Sequence, residues 1–228
     1  HDKAELTDNI LKTSNHTVAL LSVSDPVQLP WGDMINIVYP DTVSLDISRF
    51  GFYEEGLTRM VLDYLKPGMT FLDIGAHIGY YTLLAAWLVG DKGQVHSFEP
   101  TPGTFTLLQS NAGNKANVIL NPVAVSSESG NISFNDYGRG SMGANSRFTA
   151  RVDAKSLNSI QPVNYQVPAT TIDEYVESNG LAPNFVKIDA ESSEHDILRG
   201  MQTTLSSHRP AVSVEVGDMD IEGVPPSR

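Results

Sequence analysis

Short apolar runs separated by glycine, proline and polar turns recur from Thr70 onwards. Strands are predicted where such a run is brief, and helices where apolar residues recur every three or four positions. The predicted strands cover residues 70–74, 93–98, 118–125, 184–189 and 211–216, and the predicted helices cover 80–89, 104–111, 170–178 and about 193–205. Strands that alternate with helices indicate an α/β fold with a doubly wound, mainly parallel, Rossmann-like sheet.

The N-terminal part has a different pattern. Four elements are expected there, one short polar helix and three strands, over residues 2–14, Val18–Val23, Ile35–Tyr39 and Thr42–Ile47. Residues 1–48 contain too few apolar side chains for a core of their own, so we expect a small β-rich appendage to a main domain of residues 49–228. That domain is expected to open with a helix whose apolar face carries Leu57, Val61, Leu62 and Leu65.

Residues 126–168 are polar and rich in turn-forming residues, which interrupts the α/β pattern. Such a stretch is expected to be an inserted hairpin or a mobile loop. It is either a lid over a substrate or a decoration of the surface.

A glycine turn joins the first predicted strand of the sheet to the helix that follows it. Its sequence, Asp73-Ile74-Gly75-Ala76-His77-Ile78-Gly79, is typical of the start of a nucleotide-binding βαβ unit. Glycine accepts positive φ and allows close approach of a ligand to the backbone. His77 occupies the place of the second glycine of a dinucleotide fingerprint, where its side chain would crowd a pyrophosphate. An acidic residue two positions before the first glycine instead resembles motif I of S-adenosylmethionine-dependent methyltransferases.

Carboxylates stand at or near the ends of several predicted strands. Glu99 ends the second strand, 24 residues after Gly75, and an acidic residue near this offset commonly accepts hydrogen bonds from ribose hydroxyls. Asp73, Asp189 and Glu215 have equivalent places on other strands. Because the carboxyl ends of parallel strands meet at one edge of a sheet, we expect a cleft with carboxylates around it, suited to a cationic cofactor.

Composition excludes several classes of function. A net charge of −12 with only 15 Lys and Arg residues argues against a nucleic-acid partner. No apolar run approaches the length of a membrane span, so no membrane partner is expected. The absence of cysteine excludes disulfides, a thiolate nucleophile and a cysteine zinc site, and it fits a cytoplasmic protein.

The segment from Lys187 to Gly200, KIDAESSEHDILRG, resembles the signature K-I-D-x-E-G-x-E-x-x-x-L-x-G of the FkbM family of S-adenosylmethionine-dependent methyltransferases. Further motifs of that family occur in order: Tyr53-Glu54, the glycine turn, Phe98-Glu99-Pro100, and Val123-Ala124-Val125-Ser126. The resemblance implies a class I methyltransferase fold, S-adenosylmethionine as cofactor, and methylation of a hydroxyl of a sugar or a secondary metabolite, as in natural product biosynthesis.

By position, the resemblance implies a binding site for each part of the cofactor. The ribose would be held by Glu99, and the adenine would lie near Pro100, Val123 and Ala124. The methionine part would be surrounded by Asp73, Gly75, Ala76 and Gly79. Glu54, His77 and Asp189 are further expected cofactor-binding residues. The chain departs from the family at two places. Ser192 stands where the family has a glycine, and the chain ends at Arg228 soon after the fifth strand, so the final antiparallel hairpin of the class I fold is expected to be missing.

The candidate catalytic residues are Asp189, Glu191 and His195. An alcohol acceptor must lose a proton, and a positioned base can accept it. We expect Asp189 or His195 to be this base, with Glu191 orienting one of them. The alternatives are a helix-capping role for Glu191 and an exposed surface position for His195. The same three residues could bind a divalent metal, but without a dedicated ligand set no metal is expected.

Two other functions remain open from the sequence. One is a nicotinamide-dependent Rossmann enzyme, and the other is a non-catalytic cofactor-binding module of a biosynthetic assembly. If the protein is an O-methyltransferase, its partner is a small hydroxylated acceptor, either free or tethered to a carrier protein.

Overall fold

The computed structural model describes residues 26–136 and 163–216. Ten strands lie in these ranges: β1 (Val27–Gln28), β2 (Met34–Ile35), β3 (Thr70–Ile74), β4 (Gln94–Phe98), β5 (Val118–Asn121), β6 (Ala124–Val125), β7 (Gly130–Asp136), β8 (Val163–Thr170), β9 (Phe185–Ile188) and β10 (Ala211–Val214). The α-helices in these ranges are α1 (Thr42–Phe50), α2 (Glu55–Tyr64), α3 (Tyr80–Val89), α4 (Pro102–Ala112), α5 (Ile172–Asn179), α6 (Glu194–Arg199) and α7 (Gln202–His208).

The main sheet has five parallel strands in the order β10-β9-β3-β4-β5. The chain proceeds from β3 through β4 to β5 on one side and later returns to the other side for β9 and β10. The direction of winding therefore reverses between β3 and β9, which is where ligands of doubly wound sheets bind. The predicted fold class is confirmed, and each predicted strand of the sheet is present.

Helices cover both faces of this sheet. The α3 helix is buried on almost every side, as its continuous apolar sequence predicts, and packs in one apolar cluster with Phe71 of β3. Leu29, Ile35 and Ile47 belong to the same cluster, so this part of the N-terminal region packs directly on the main domain. On the opposite face, α5 and α6 cover Leu72 and Val186.

The prediction of a strand at Thr42–Ile47 was wrong, because this segment is the first part of α1. The Asp41 side chain accepts a hydrogen bond from the Ser44 backbone N–H at 2.8 Å and so caps the helix. Burial of one face, with Ser44 and Ile47, outweighs the strand preference of the β-branched residues. The prediction for Ile35–Tyr39 was also wrong, since only Ile35 lies in one of the strands.

Three predicted elements differ in detail. The third strand is divided at Pro122, which lacks a backbone donor, and β6 beyond it joins a second sheet. The last helix is divided at Gly200, where an added Cβ would lie 2.3 Å from the Ser126 carbonyl oxygen. Leu62 is 40% exposed and does not belong to the buried face of α2.

The second sheet has the order β6-β8-β7, and its β7 and β8 strands pair antiparallel. These two strands are the ends of the predicted insertion, whose middle part, residues 137–162, lies outside the described residues. The predicted helix 2–14 and strand Val18–Val23 also lie outside them, as does the C-terminal stretch 217–228. Among the described residues, no helix is long and apolar enough to cross a membrane.

We predict that His96 makes the fold sensitive to acid. It lies buried in β4 beside the Tyr175 hydroxyl, with 2.9 Å between Nδ1 and that oxygen, and burial lowers its pKa to about 4. The unfolded chain binds the proton near pH 6.5, so the contribution of neutral His96 to stability is lost as pH falls from there towards 4. The free energy of unfolding of the wild type falls between pH 7 and pH 5, and His96→Gln should make this fall smaller by on the order of 1 kcal/mol, after allowance for solvent screening.

Urea unfolding at both pH values measures this effect. His208→Gln, at an exposed position, is the matched control and should keep the wild-type dependence on pH. An equal loss of stability in His96→Gln and wild type would contradict the prediction.

Candidate functional site

A cavity of about 410 Å³ opens at the carboxyl edge of the main sheet, at the reversal between β3 and β9. Its volume is in the range of small-molecule sites. Its walls come from the glycine turn, the ends of β4 and β9, the N-terminus of α1, and the second sheet.

Most of the residues predicted from the sequence line this cavity. They are Gly75, Ala76, His77, Glu99, Pro100, Val123, Ala124, Asp189 and Glu191. Four others do not line it: Asp73 is fully buried, Gly79 is the N-cap of α3, Glu54 accepts a hydrogen bond from the Tyr81 hydroxyl at 3.0 Å, and His195 is exposed on α6. The structure therefore does not bring His195 to the cavity.

Steric crowding explains why the turn has a glycine at position 75. Its φ is 74°, and an added Cβ would lie 1.7 Å from the carbonyl oxygen of Asp189. The Gly75 and Ala76 backbone N–H groups both donate to the Phe98 carbonyl, at 3.1 and 3.0 Å. The turn is thus held against the ends of β4 and β9 at once, and only glycine fits between them.

We predict that Gly75→Ala destabilises the protein by about 2–5 kcal/mol, because the end of β9 would have to move and the left-handed backbone would be strained. Equilibrium unfolding in urea measures the loss. Gly103→Ala is the matched control, since an added Cβ there meets nothing within 4 Å; it should leave stability unchanged or slightly higher. Similar stabilities for the two variants would contradict the steric explanation.

Glu99 is a buried carboxylate whose two oxygens are both held by the backbone. Its Oε2 accepts from the His77 N–H at 3.2 Å, and its Oε1 accepts from the Thr101 N–H at 2.9 Å. Burial raises its pKa to about 7, and the hydrogen bonds from Thr101 and His77 limit the rise. The carboxylate is fixed beside the glycine turn, as a ribose-binding residue would need to be.

Lys187 is a buried lysine that joins the ends of β3 and β9. Its ammonium donates to the Gly75 carbonyl at 2.9 Å and lies 3.4 Å from both Asp73 Oδ1 and Asp189 Oδ2. A buried ammonium is tolerated only when it is paired and hydrogen-bonded. These three oxygens meet that requirement.

His77 is held in an uncommon conformation, with a φ of 52°. Its Nε2 lies 3.6 Å from Asp41 Oδ1, across the boundary between the glycine turn and α1. Burial lowers the pKa of His77, although the charge of Asp41 opposes the shift. At neutral pH the imidazole is therefore uncharged and forms part of the cavity wall.

Three carboxylates, Asp189, Glu191 and Glu215, approach within 4.8 Å of one another at the rim. The metal alternative had His195 as the third ligand, but the structure brings Glu215 to that place. Such acidic groups are common without an ion, so this geometry alone does not define a metal site.

Ser192 occupies the turn position at which the FkbM family signature has a glycine. Its φ is 75°, and the preceding Glu191 has a φ of 51°. One oxygen of Glu194 accepts from the backbone N–H groups of Ala190 and Ser192, each at 3.1 Å. This hydrogen-bonded support holds the left-handed turn, so Glu194 has a structural role.

Several lining residues were not predicted. Three of them form the start of α1: Asp41, Thr42 and Val43. The sequence signal for this helix was an acidic N-cap residue followed by apolar residues four positions apart. The strand propensity of the same segment favoured the wrong prediction. Phe134 reaches the cavity from β7, where the alternation of apolar and polar residues could have indicated a one-sided strand. Lys187 was visible as the one charged residue in the otherwise apolar run of β9.

An open parallel sheet with a glycine turn and a carboxylate-rimmed cavity at its reversal point defines a Rossmann-like, cofactor-binding α/β domain. The profile of the methyltransferase FkbM domain matches residues 73–224. The chain belongs to this family.

Two curated relatives and one solved structure are similar to the chain. Hexuronic acid methyltransferase AglP of Haloferax volcanii is 31% identical over 157 residues, which are 68% of this chain and 59% of that protein. The chain therefore spans less than two thirds of that relative. The 31-O-demethyl-FK506 methyltransferase FkbM of Streptomyces tacrolimicus is 26% identical over 178 residues, with 68% of each chain covered. A SAM-dependent methyltransferase from Aquifex aeolicus overlaps 75% of this chain and 69% of its own, with 15% identity and a TM-score of 0.37.

Proposed function

We propose that this chain is an O-methyltransferase that transfers the methyl group of S-adenosylmethionine to a hydroxyl of a small molecule, a sugar or a secondary metabolite. The observation that carries the proposal is the cavity at the reversal of the sheet, with the buried Glu99 on one side and the carboxylates Asp189 and Glu191 on another. Membership of the FkbM family supports the same reaction.

The residues present fit this cofactor. The glycine turn exposes backbone to the cavity, and Glu99 is fixed in position to accept hydrogen bonds from ribose hydroxyls. Pro100, Val123 and Phe134 provide an apolar wall for an adenine ring. A nicotinamide dinucleotide fits less well, because the His77 side chain occupies the wall of the turn that a pyrophosphate would approach.

When bound, S-adenosylmethionine supplies an electrophilic methyl group: its carbon–sulfur bond breaks, a carbon–oxygen bond to the acceptor forms, and the hydroxyl proton leaves. The protein aligns the acceptor oxygen, and such positioning supplies roughly 7–11 kcal/mol in well-oriented reactions. A carboxylate at the Asp189–Glu191 rim receives the proton, a contribution of about 10²–10⁴-fold. The role of His195 as the base stays a prediction, and its exposed position does not favour it.

The names of the relatives favour a hydroxylated acceptor. One acts on a hexuronic acid and the other on 31-O-demethyl-FK506. We extend this class to the present chain, with the acceptor either free or tethered to a carrier protein. A cytoplasmic location and metal independence stay predictions from the sequence.

The test is methyl transfer from radiolabelled S-adenosylmethionine to a panel of acceptors: a methyl glucuronide, a methyl glucoside and a hydroxylated macrolide. We expect labelled methyl ether from at least one acceptor, no effect of EDTA, and a loss of about 10²-fold or more in kcat for the double variant Asp189→Asn/Glu191→Gln, which removes both carboxylates of the rim. Asp46→Asn, a carboxylate on α1 that does not line the cavity, is the matched control and should keep wild-type turnover.

Cofactor binding without turnover on any acceptor would favour the non-catalytic module. Absence of binding in calorimetry would exclude both.

Glu99 gives a separate prediction for cofactor affinity. Its carboxylate form accepts hydrogen bonds from a ribose, and its pKa of about 7 means that acid converts it to the neutral form. The wild-type affinity for S-adenosylhomocysteine should therefore fall about tenfold from pH 8 to pH 6. Glu99→Gln should bind about 10–100-fold more weakly at pH 8 and lose this dependence on pH.

Calorimetry at three pH values measures both effects. Glu55→Gln, an exposed carboxylate on α2, should behave as wild type. A pH dependence that persists in Glu99→Gln would assign the titration to another group.

A further inference from the structure

The charge of Lys187 is shared by two carboxylates that face different ways. Asp73 is fully buried, and its second oxygen accepts a hydrogen bond from the Thr82 hydroxyl at 2.7 Å. The Asp189 side chain is 25% exposed and lines the cavity. Of the two carboxylates paired with Lys187, only Asp189 therefore presents its charge to a bound ligand.

The position of Asp189 is fixed by contacts with Lys187 of β9 and with the turn that follows β3. Lys187 lies opposite Asp73 in the register of β3 and β9, and its ammonium donates across to the Gly75 carbonyl. The backbone of Asp189 is itself packed against Gly75. The Tyr81 ring lies 5.3 Å from the ammonium and covers it from the side of α3. Movement of the Asp189 carboxylate would break a contact with a buried charge, so the protein holds it in place before any ligand arrives.

The surrounding charges keep both groups ionised. Burial alone would raise the pKa of Asp189, but the charge of Lys187, with a smaller effect of a side-chain hydrogen bond with Glu215, holds this pKa below its usual value. Burial alone would lower the pKa of Lys187, but Asp189 and Asp73 raise it. A carboxylate with a lowered pKa is a weak proton acceptor. Its chemistry is therefore that of a fixed negative charge.

We propose that Lys187 is a positioning residue that fixes the negatively charged Asp189 carboxylate on the cavity wall, where it selects the sulfonium cation of S-adenosylmethionine over the neutral thioether of S-adenosylhomocysteine. The inference rests on the proposed function and separates two roles for Asp189, fixed anion and base. Methyl transfer removes the charge from sulfur, so this contact weakens on turnover and favours release of the product. The hydroxyl proton then goes to Glu191, the other carboxylate of the Asp189–Glu191 rim.

The readout is the ratio of two dissociation constants, that of S-adenosylhomocysteine divided by that of S-adenosylmethionine, measured by calorimetry. Loss of a charge-assisted contact should lower this ratio by about 10–100-fold in Asp189→Asn. Both ligands carry the same ribose and adenine, so effects of Glu99 cancel in the ratio. Glu191→Gln, which removes a neighbouring carboxylate of the same rim, should change the ratio by less than about threefold. Asp46→Asn should leave it unchanged.

The positioning role of Lys187 is tested with the double variant Lys187→Met/Asp73→Asn, which removes one buried charge of each sign and keeps an oxygen for Thr82. Without the ammonium, Asp189 should titrate at higher pH. The ratio should then fall as pH is lowered from 7.5 to 5.5, while the wild-type ratio stays constant over that range. The single variant Lys187→Arg, which keeps the positive charge, should have a ratio that stays constant between pH 7.5 and pH 5.5, as in the wild type.

Three results would overturn the inference. They are a ratio in Asp189→Asn within about twofold of wild type, an equal change in Glu191→Gln, or a double variant whose ratio does not depend on pH. If the double variant does not fold, Asp189→Asn and the wild-type pH series still decide the matter. Failure of the proposed function would look different, because neither ligand would then bind to the wild-type chain.

Discussion

The contact between the ends of β3 and β9 is the constraint on which the site depends. The two strands diverge in their connections at this point, so the sheet opens a cleft there. Gly75 lets the Asp189 carbonyl approach to a distance that any side chain would prevent. Lys187 then bridges the same two strand ends with its ammonium. Steric fit and charge pairing thus act on the same few atoms, and the floor of the cavity is rigid as a result.

This rigidity matters for electrostatics. Preorganised charges contribute most where water is excluded and the protein need not reorganise. Glu99 is held by two backbone N–H groups, and Asp189 by a buried ammonium, so each carboxylate is fixed by a different means. The pKa values differ accordingly: at Glu99 burial outweighs the backbone hydrogen bonds and raises the pKa, while at Asp189 the charge of Lys187 outweighs burial and lowers it. Two carboxylates in one cavity are thereby suited to different tasks, one as a hydrogen-bond acceptor for hydroxyls and one as a fixed charge.

The sequence predicted the sheet and many of the residues that line the cavity well, because both depend on local signals. Apolar runs define β3, β4 and β9, and the turn at Gly75 and the acid at Glu99 have fixed spacings. It predicted α1 poorly, since Thr42 and Val43 favour strands in isolation and only the capping by Asp41 and burial against the main core reverse this. The pairing of Lys187 with Asp73 could not be predicted, because it depends on the register between β3 and β9 and no local sequence pattern determines that register.

The family match covers the residues on one side of the cavity but not those on the other. The family match begins at Asp73, so it includes the glycine turn, Glu99 and Asp189 but not Asp41 or Tyr53, which line the other wall. That wall is built by α1 and the segment before α2, and it lies beside the carboxylate rim. An acceptor must contact whichever surfaces the cofactor leaves free, and these belong in part to the unmatched segment. The cofactor can therefore be inferred from the family, whereas we expect the choice among hydroxylated acceptors to depend on the wall that Asp41 and Tyr53 provide.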